Sequence, residues 1–277
     1  MSKQSAVQTF DDNLHISHNQ IFTYLNCSLK YRYHYVEKRQ PERVSIALPF
    51  GGAIHAAIET YYRAIQNNNQ IEAVEALWKR FETCLNLDLE QKDVSVVFKK
   101  DLPDQEEALN MGKALLKTFH ENIQIYSPED ILGVEHPLKA TLFTDEGTAT
   151  DFKLVGVVDL ILRDKSGGIA VVDNKTASKP MAQKTADDDN QMTAYAYLLA
   201  ANKFVFPTAP VKCRFDLLRK LKTPKLEHVF TTRTAAHRKR FAKLATAVLA
   251  GIDAGVFMPQ PSWMCVDCAY ADACKEW

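Results

Sequence analysis

Two acids stand inside stretches that otherwise read as buried strand, and a lysine follows the second by two positions. Asp159 interrupts the apolar run LVGVVDLIL over residues 154–162, and Asp173 closes the run at 169–172 and leads into Asn174 and Lys175. A carboxylate left uncompensated among such neighbours costs about 3 kcal/mol or more. Asp164-Lys165-Ser166-Gly167-Gly168, between the two runs, has the composition of a turn. An antiparallel hairpin centred on Ser166 sets Asp159 opposite Asp173, with β-carbons roughly 5 Å apart. That is close enough to share one divalent cation. The plainer alternative is that Lys175 neutralises one acid while the other caps a strand end.

A second set of potential ligands lies at the termini. Cys265, Cys268 and Cys274 form C-x2-C-x5-C, and such spacing lets thiolates converge on one metal centre. Cys27, just after a helix near the other end, is the candidate fourth ligand. Four thiolates suit zinc or an iron-sulfur cubane, and spacing does not choose between them. Pro259, Pro261, Trp263 and Tyr270 suggest an irregular, shielded tail rather than a zinc ribbon with its second C-x-x-C pair. Cys84 reads as a core residue.

These groups need elements to position them. Ser17 and Gln20 have the spacing of a capping box, so a helix starts there and carries Ile21, Tyr24 and Leu25. After it come Lys30, Tyr31, Arg32, Tyr33 and Tyr35, either a phosphate clamp with stacking rings or an amphipathic segment whose tyrosines pack inward. Residues 42–48 read as a connector. Pro49-Phe50-Gly51-Gly52 then opens a helix with His55 beside its apolar stripe, and the two glycines permit close backbone approach. His55 by itself fits a satisfied histidine as well as a ligand. Two more periodic helices span about 71–87 and 105–125, and residues 131–137 read as the strand before the hairpin. Within it, Glu135 is either a further acid for the metal or an edge-strand charge. Asp187, Asp188 and Asp189 suit the positive start of a helix on which Gln191 and Tyr195 share one face. Residues 211–218 and 226–230 read as strands. Arg214, Arg219, Lys220, Lys222 and Lys225, with Arg238, Lys239 and Arg240 on the next helix, form basic clusters that could follow a phosphate backbone or face solvent.

The 277 residues are 46 % apolar and carry 34 basic and 34 acidic side chains, so overall charge offers no argument for a polyanionic partner. No run of about 18 apolar residues is present, and MSKQSAVQTFDDN lacks a signal-like apolar core. The expectation is a cytoplasmic protein without a membrane partner, a single domain over residues 1–277.

The succession of His55 in GGAIHAAIE, Asp159 in GVVDL, Asp173 and Lys175 in VVDNKT, and Gln191 and Tyr195 in QMTAY resembles the RecB-like nucleases of the PD-(D/E)XK superfamily. The early cysteine with the terminal C-x2-C-x5-C is similar to their iron-sulfur branch, which includes the AddB nuclease domain and the CRISPR-adaptation exonucleases. The likeness runs from Ser17 to Cys274, with Val158 in the place of the name-giving proline. It implies an α/β (mixed α+β) fold: a restriction-endonuclease-like core whose mixed central sheet is flanked by helices. A helical insertion at about 66–128 and a lid formed by the Cys27 region and residues 259–277 would be added to it. It further implies that His55, Asp159, Asp173 and the Asn174 carbonyl hold magnesium or manganese. Lys175 would activate the attacking water, and Gln191 and Tyr195 would support the site. Cys27, Cys265, Cys268 and Cys274 would hold a 4Fe-4S cluster, with zinc as the alternative. The implied activity is phosphodiester hydrolysis by a single-strand-preferring DNA exonuclease in repair, recombination or CRISPR adaptation. A structure-specific endonuclease and a non-cutting DNA-binding scaffold are the rivals. No phosphate loop of the form G-x-x-x-x-G-K-[ST] occurs, so ATP-driven unwinding would come from a helicase partner.

Overall fold

In a computed structural model of the protein, residues 14–90 and 94–277 are described. The amino-terminal stretch read above for a signal sequence falls outside the described residues. The acid-bearing apolar runs form two adjacent strands joined by the expected turn. Leu160 faces Val172, Ile161 faces Val171, and Leu162 faces Ala170, all equidistant from Ser166.

The strands are β1 (His15–Ser17), β2 (Arg43–Ser45), β3 (Ser95–Val97), β4 (Ile131–Phe143), β5 (Ala149–Arg163), β6 (Ile169–Ala177), β7 (Val211–Arg219) and β8 (Lys225–Arg233). Six of them form one mixed sheet in the order β1-β5-β6-β7-β8, with β4 also paired to β5. β1 runs parallel to β5 and β6 parallel to β7; the remaining pairs are antiparallel. A parallel β6–β7 pair needs a crossover, which the segment between them supplies with two helices. Residues 42–48 are not a plain connector: β2 lies there and pairs in parallel with β3.

The helices are α1 (His18–Asn26), α2 (Ser28–Tyr31), α3 (Ala47–Asn68), α4 (Val74–Glu90), α5 (Gln105–Asn122), α6 (Gln183–Asp187), α7 (Asn190–Ala201), α8 (Ala235–Asp253) and α9 (Ala271–Lys275), with a π turn at Arg32–Val36. Their caps are those the sequence carries. Ser17 and Gln20 bond reciprocally at the start of α1. Asp189 accepts from the Met192 N–H at the start of α7, satisfying an otherwise orphaned donor. α3 starts earlier than Pro49, and neither Gly51 nor Gly52 is pressed by a protein neighbour. Gly112 of α5 is the glycine that a close approach requires, since a β-carbon there would stand 2.0 Å from the Phe81 ring of α4.

Helices cover both faces of the sheet. On one face α3, α4 and α5 bury Phe50, Tyr61, Tyr62, Phe81 and Phe119 against Leu160, Leu162 and Val172. On the other, α7 and α8 bury Tyr195, Leu198 and Phe241 against Val158, Ile161 and Phe215. Cys84 packs on the first core and Cys213 lies within the second, where burial pushes its thiol up to about 12. No helix among the described residues is long and apolar enough to cross a membrane.

Candidate active site

The ladder between β5 and β6 stops at Leu160 and Val172, and the next residues along are the two acids. Beyond that point a side chain takes over from the backbone: Asp159 Oδ2 accepts the Asn174 N–H at 2.9 Å. The strands separate there, and α3 brings His55 into the opening. His55 Nδ1 lies 3.2 Å from Asp159 Oδ2 and 3.4 Å from Glu135 Oε1.

Glu135 is the acid the sequence left undecided. It sits between Val134 and His136, whose partners Leu160 and Val158 flank Asp159 on the neighbouring strand. Its φ of +40° is unusual for a residue with a β-carbon and marks a local kink in β4. His55, Glu135 and Asp159 each offer a ligand atom within 4.8 Å of the others, the one such trio among the described residues. An imidazole with two carboxylates is a donor set suited to manganese or magnesium. The set fits a hard divalent cation on donor chemistry and on burial, since Asp159 is almost wholly inside the protein.

Asp173 belongs to a different arrangement. Fully buried, it has Lys175 Nζ 2.7 Å from Oδ2 and accepts Gln191 Nε2 at Oδ1, also at 2.7 Å. Lys175 Nζ donates to Gln191 Oε1 at 2.8 Å, and Gln191 Nε2 lies 2.8 Å from the Tyr195 hydroxyl. The one-turn spacing of Gln191 and Tyr195 thus produces the shared face expected of it. Asn174 is buried, on the opposite side of β6 from Asp173 and Lys175, and the contact it makes to Asp159 is through its backbone N–H.

One further residue supports this network and another lies within its electrostatic reach, neither singled out by its sequence context. Arg233, at the end of β8, is fully buried: Nε donates to Thr193 Oγ1, and Nη2 donates to the carbonyls of Ala186 and Asp189. It therefore clamps the turn that launches α7, the helix bearing Gln191. His18, the first residue of α1, feels the charges of both Asp189 and Lys175, and burial is the chief reason its pKa falls to about 4. An arginine or histidine at a strand or helix end has the local signature of a surface residue, so only the fold reveals either role.

The basic clusters divide when placed in three dimensions. Arg214 pairs with the buried Asp216, which also accepts His228; Arg219 pairs with Glu227; Lys220 pairs with Asp101; and Arg238 donates to the carbonyls of Pro207 and Ala209. These four are structural rather than a phosphate track. Lys222, Lys225, Lys239 and Arg240 stay exposed. Tyr31 and Tyr33 pack inward, Tyr31 stacking near Phe257 and Tyr33 near Tyr270, so the amphipathic reading of that segment holds.

The four terminal cysteines share one neighbourhood. Leu29, Tyr33 and Tyr270 form a small buried cluster against which Cys27, Cys268 and Cys274 pack. Burial raises the Cys274 thiol, and Cys27, Cys268 and Cys265 each raise it further. The Lys30 N–H donates to Cys27 Sγ at 3.4 Å, and the Ser262 N–H donates to Cys265 Sγ at 3.3 Å. The four thiols thus lie within electrostatic reach of one another, two of them with backbone donors. The termini are also joined by the protein itself: Ser28 exchanges hydrogen bonds with Met258, Tyr24 donates to the Val256 carbonyl, and Glu42 accepts from the N–H groups of Asp272 and Ala273.

No curated protein sequence matches the chain. Among solved structures, a protein of Eubacterium rectale described as a candidate exonuclease superposes with a TM-score of 0.61 at 11 % identity, over 100 % of this chain and 92 % of that one. A likeness at that identity speaks to the fold alone. A second structure, SSO0001, reaches a TM-score of 0.31 at 13 % identity, over 92 % of this chain and 97 % of that one, and carries no argument. The sequence profile of the PD-(D/E)XK nuclease superfamily matches residues 15–275, and with its acid pair, lysine and mixed sheet the chain belongs to that superfamily.

Proposed function

We propose that this protein is a metal-dependent deoxyribonuclease, a single-strand-preferring exonuclease of the RecB-like iron-sulfur branch acting in DNA repair, recombination or CRISPR adaptation. The observation that carries the reading is the adjacency of two networks where β5 and β6 part. One is the His55–Glu135–Asp159 ligand cluster, the other the Asp173–Lys175–Gln191 hydrogen-bonded set. Magnesium or manganese bound there would polarise a phosphoryl oxygen and supply a nucleophilic water.

The chain's own residues do the rest. Asp173 and Gln191 fix Lys175 Nζ by hydrogen bonds on two sides, so the ammonium is oriented before substrate arrives. Lys175 is about a third exposed, so a phosphate or its attacking water can reach it from solvent. Its role is to orient that water by donating a hydrogen bond and to offset the charge that builds on the phosphate, the water's proton leaving to solvent. Tyr195 steadies Gln191, and Arg233 steadies the helix start beneath both. Cys27, Cys265, Cys268 and Cys274 hold a 4Fe-4S cluster that braces the terminal lid, with zinc the competing occupant. The single domain, helical insertion and lid described for the family complete this reading.

Degradation of end-labelled linear and circular DNA with Mg2+ or Mn2+ tests it, comparing the protein with Asp173→Ala. Loss of linear single strands, survival of circles and abolition by the substitution are the expected results. Cutting of circles would favour an endonuclease. Absence of cutting by metal-loaded protein would favour a non-cutting DNA-binding scaffold.

A further inference from the structure

The helix α1 presents two unlike faces. Its inner face is tied down: Ile21 is fully buried, and Tyr24 packs on Tyr31 and Phe257 while donating to the Val256 carbonyl. Its outer face carries His18, Phe22 and Leu25, at the i, i+4, i+7 spacing that places them in one stripe. Phe22 is 53 % and Leu25 41 % exposed. The His18 and Phe22 rings lie 6.0 Å apart and tilted by 38°, so the stripe begins as an aromatic pair.

The position of this stripe gives it meaning. β1 pairs with β5 through Ser17 opposite Val155, so α1 starts beside the strand that carries Asp159. Ile21 packs in one core with Met192 and Tyr195 of α7, the helix bearing Gln191, while Phe22 lies one helical turn along α1 from His18. The exposed Phe22 ring therefore stands on a helix that packs directly against the one supporting the lysine's network. The exposed Phe22 ring offers a free face to a planar apolar group, and a nucleobase has a π-face whatever its identity.

We propose that the exposed Phe22 ring of α1, bordered by His18, is a stacking platform for an unpaired nucleobase of a DNA single strand whose backbone is threaded toward Lys175. The inference rests on the nuclease reading for its substrate, and deepens it by naming the element that selects single strands. Paired bases in a duplex bury their faces against one another, and so cannot use the platform without unstacking.

The test measures binding by anisotropy in an Asp173→Ala background, so that cleavage does not intrude. The probes are fluorescein-labelled oligo-dT, the same sugar-phosphate chain without bases, and a blunt duplex. Phe22→Ala should weaken oligo-dT binding about tenfold, the equivalent of about 1.4 kcal/mol of lost stacking, and leave the abasic chain unaffected. Phe22→Trp should restore binding, with its indole emission quenched on adding oligo-dT. Equal affinity of Phe22→Ala and its parent for oligo-dT would overturn the proposal. So would equal losses on the base-bearing and abasic chains. A parent that sediments as a dimer and becomes monomeric with Phe22→Ala would assign the face to a second copy instead. Failure of the nuclease reading is distinguishable: the otherwise unmodified protein would then fail to cut DNA even where base-dependent binding at Phe22 stands.

Discussion

Asp159 and Asp173 are consecutive to the last paired residues of the same hairpin, yet their carboxylates face different partners. Asp159 meets His55 at 3.2 Å, whereas Asp173 meets Lys175 at 2.7 Å. A histidine–carboxylate cluster and a lysine–carboxylate pair thus sit side by side at the end of one hairpin.

The cation cluster is expected to bind Mn2+ and to gain stability from it. At a hundredfold excess over the dissociation constant, linkage contributes about 2.7 kcal/mol to unfolding free energy. Calorimetric titration and thermal melts should show this in the parent and not in Asp159→Asn. Glu135→Gln should weaken Mn2+ binding by about tenfold or more. Unchanged binding in Glu135→Gln would remove Glu135 from the ligand set.

The terminal cysteines are expected to act as a unit. Cys27→Ser and Cys274→Ser should each lower bound metal and the thermal midpoint, whereas Cys84→Ser should leave metal content alone because that thiol packs on the opposite core. Iron and acid-labile sulfide analysis of anaerobically purified protein reads the identity of the centre, and zinc without sulfide would reject the cluster.

His18 should make stability fall as the solution becomes acidic. Its folded pKa of about 4 lies below the ordinary value of 6.5, chiefly through burial; Asp189 pulls it up and Lys175 pushes it down. Above pH 6.5 both folded and unfolded imidazoles are neutral and no contribution arises. Between pH 6.5 and about 4 the unfolded chain takes up a proton that the folded chain refuses, so stability is lost over that window. The loss is on the order of 2 kcal/mol. Urea unfolding across this range should show a shallower decline in His18→Phe, and parallel curves would refute the assignment.

Arg233→Met is expected to destabilise the protein by roughly 3 kcal/mol, because it removes the buried guanidinium's hydrogen bonds to the Ala186 and Asp189 carbonyls and the Thr193 hydroxyl. Chemical denaturation measures this. DNA cleavage should fall as well, since the same turn sets the position of Gln191.

The two hairpins that meet at this site show where sequence suffices and where it does not. The β5–β6 register could be read by counting outward from Ser166, because no residue is inserted or skipped between the turn and Leu160 and Val172. The caps at Ser17 and Asp189 and the shared face of Gln191 and Tyr195 were legible for the same reason: each depends on residues within a few positions of one another. The β4–β5 register is different. Phe143 pairs with Ala149 near the turn, but the ladder shifts between Phe143 and Thr141, which faces Lys153. Counting from the turn would have set Glu135 against Val157; the bulge carries it on to Asp159. An irregularity of that kind is decided by how two long strands twist and pack on their helices, not by local composition. The same holds for Arg233 and Arg238, whose partners come from distant segments. The sequence by itself determined which acids, lysine and cysteines were available and how the central hairpin folds. Only the tertiary structure decided that Glu135 joins His55 and that four of the eight clustered basic residues, Arg214, Arg219, Lys220 and Arg238, are tied within the protein, because packing of whole elements sets both.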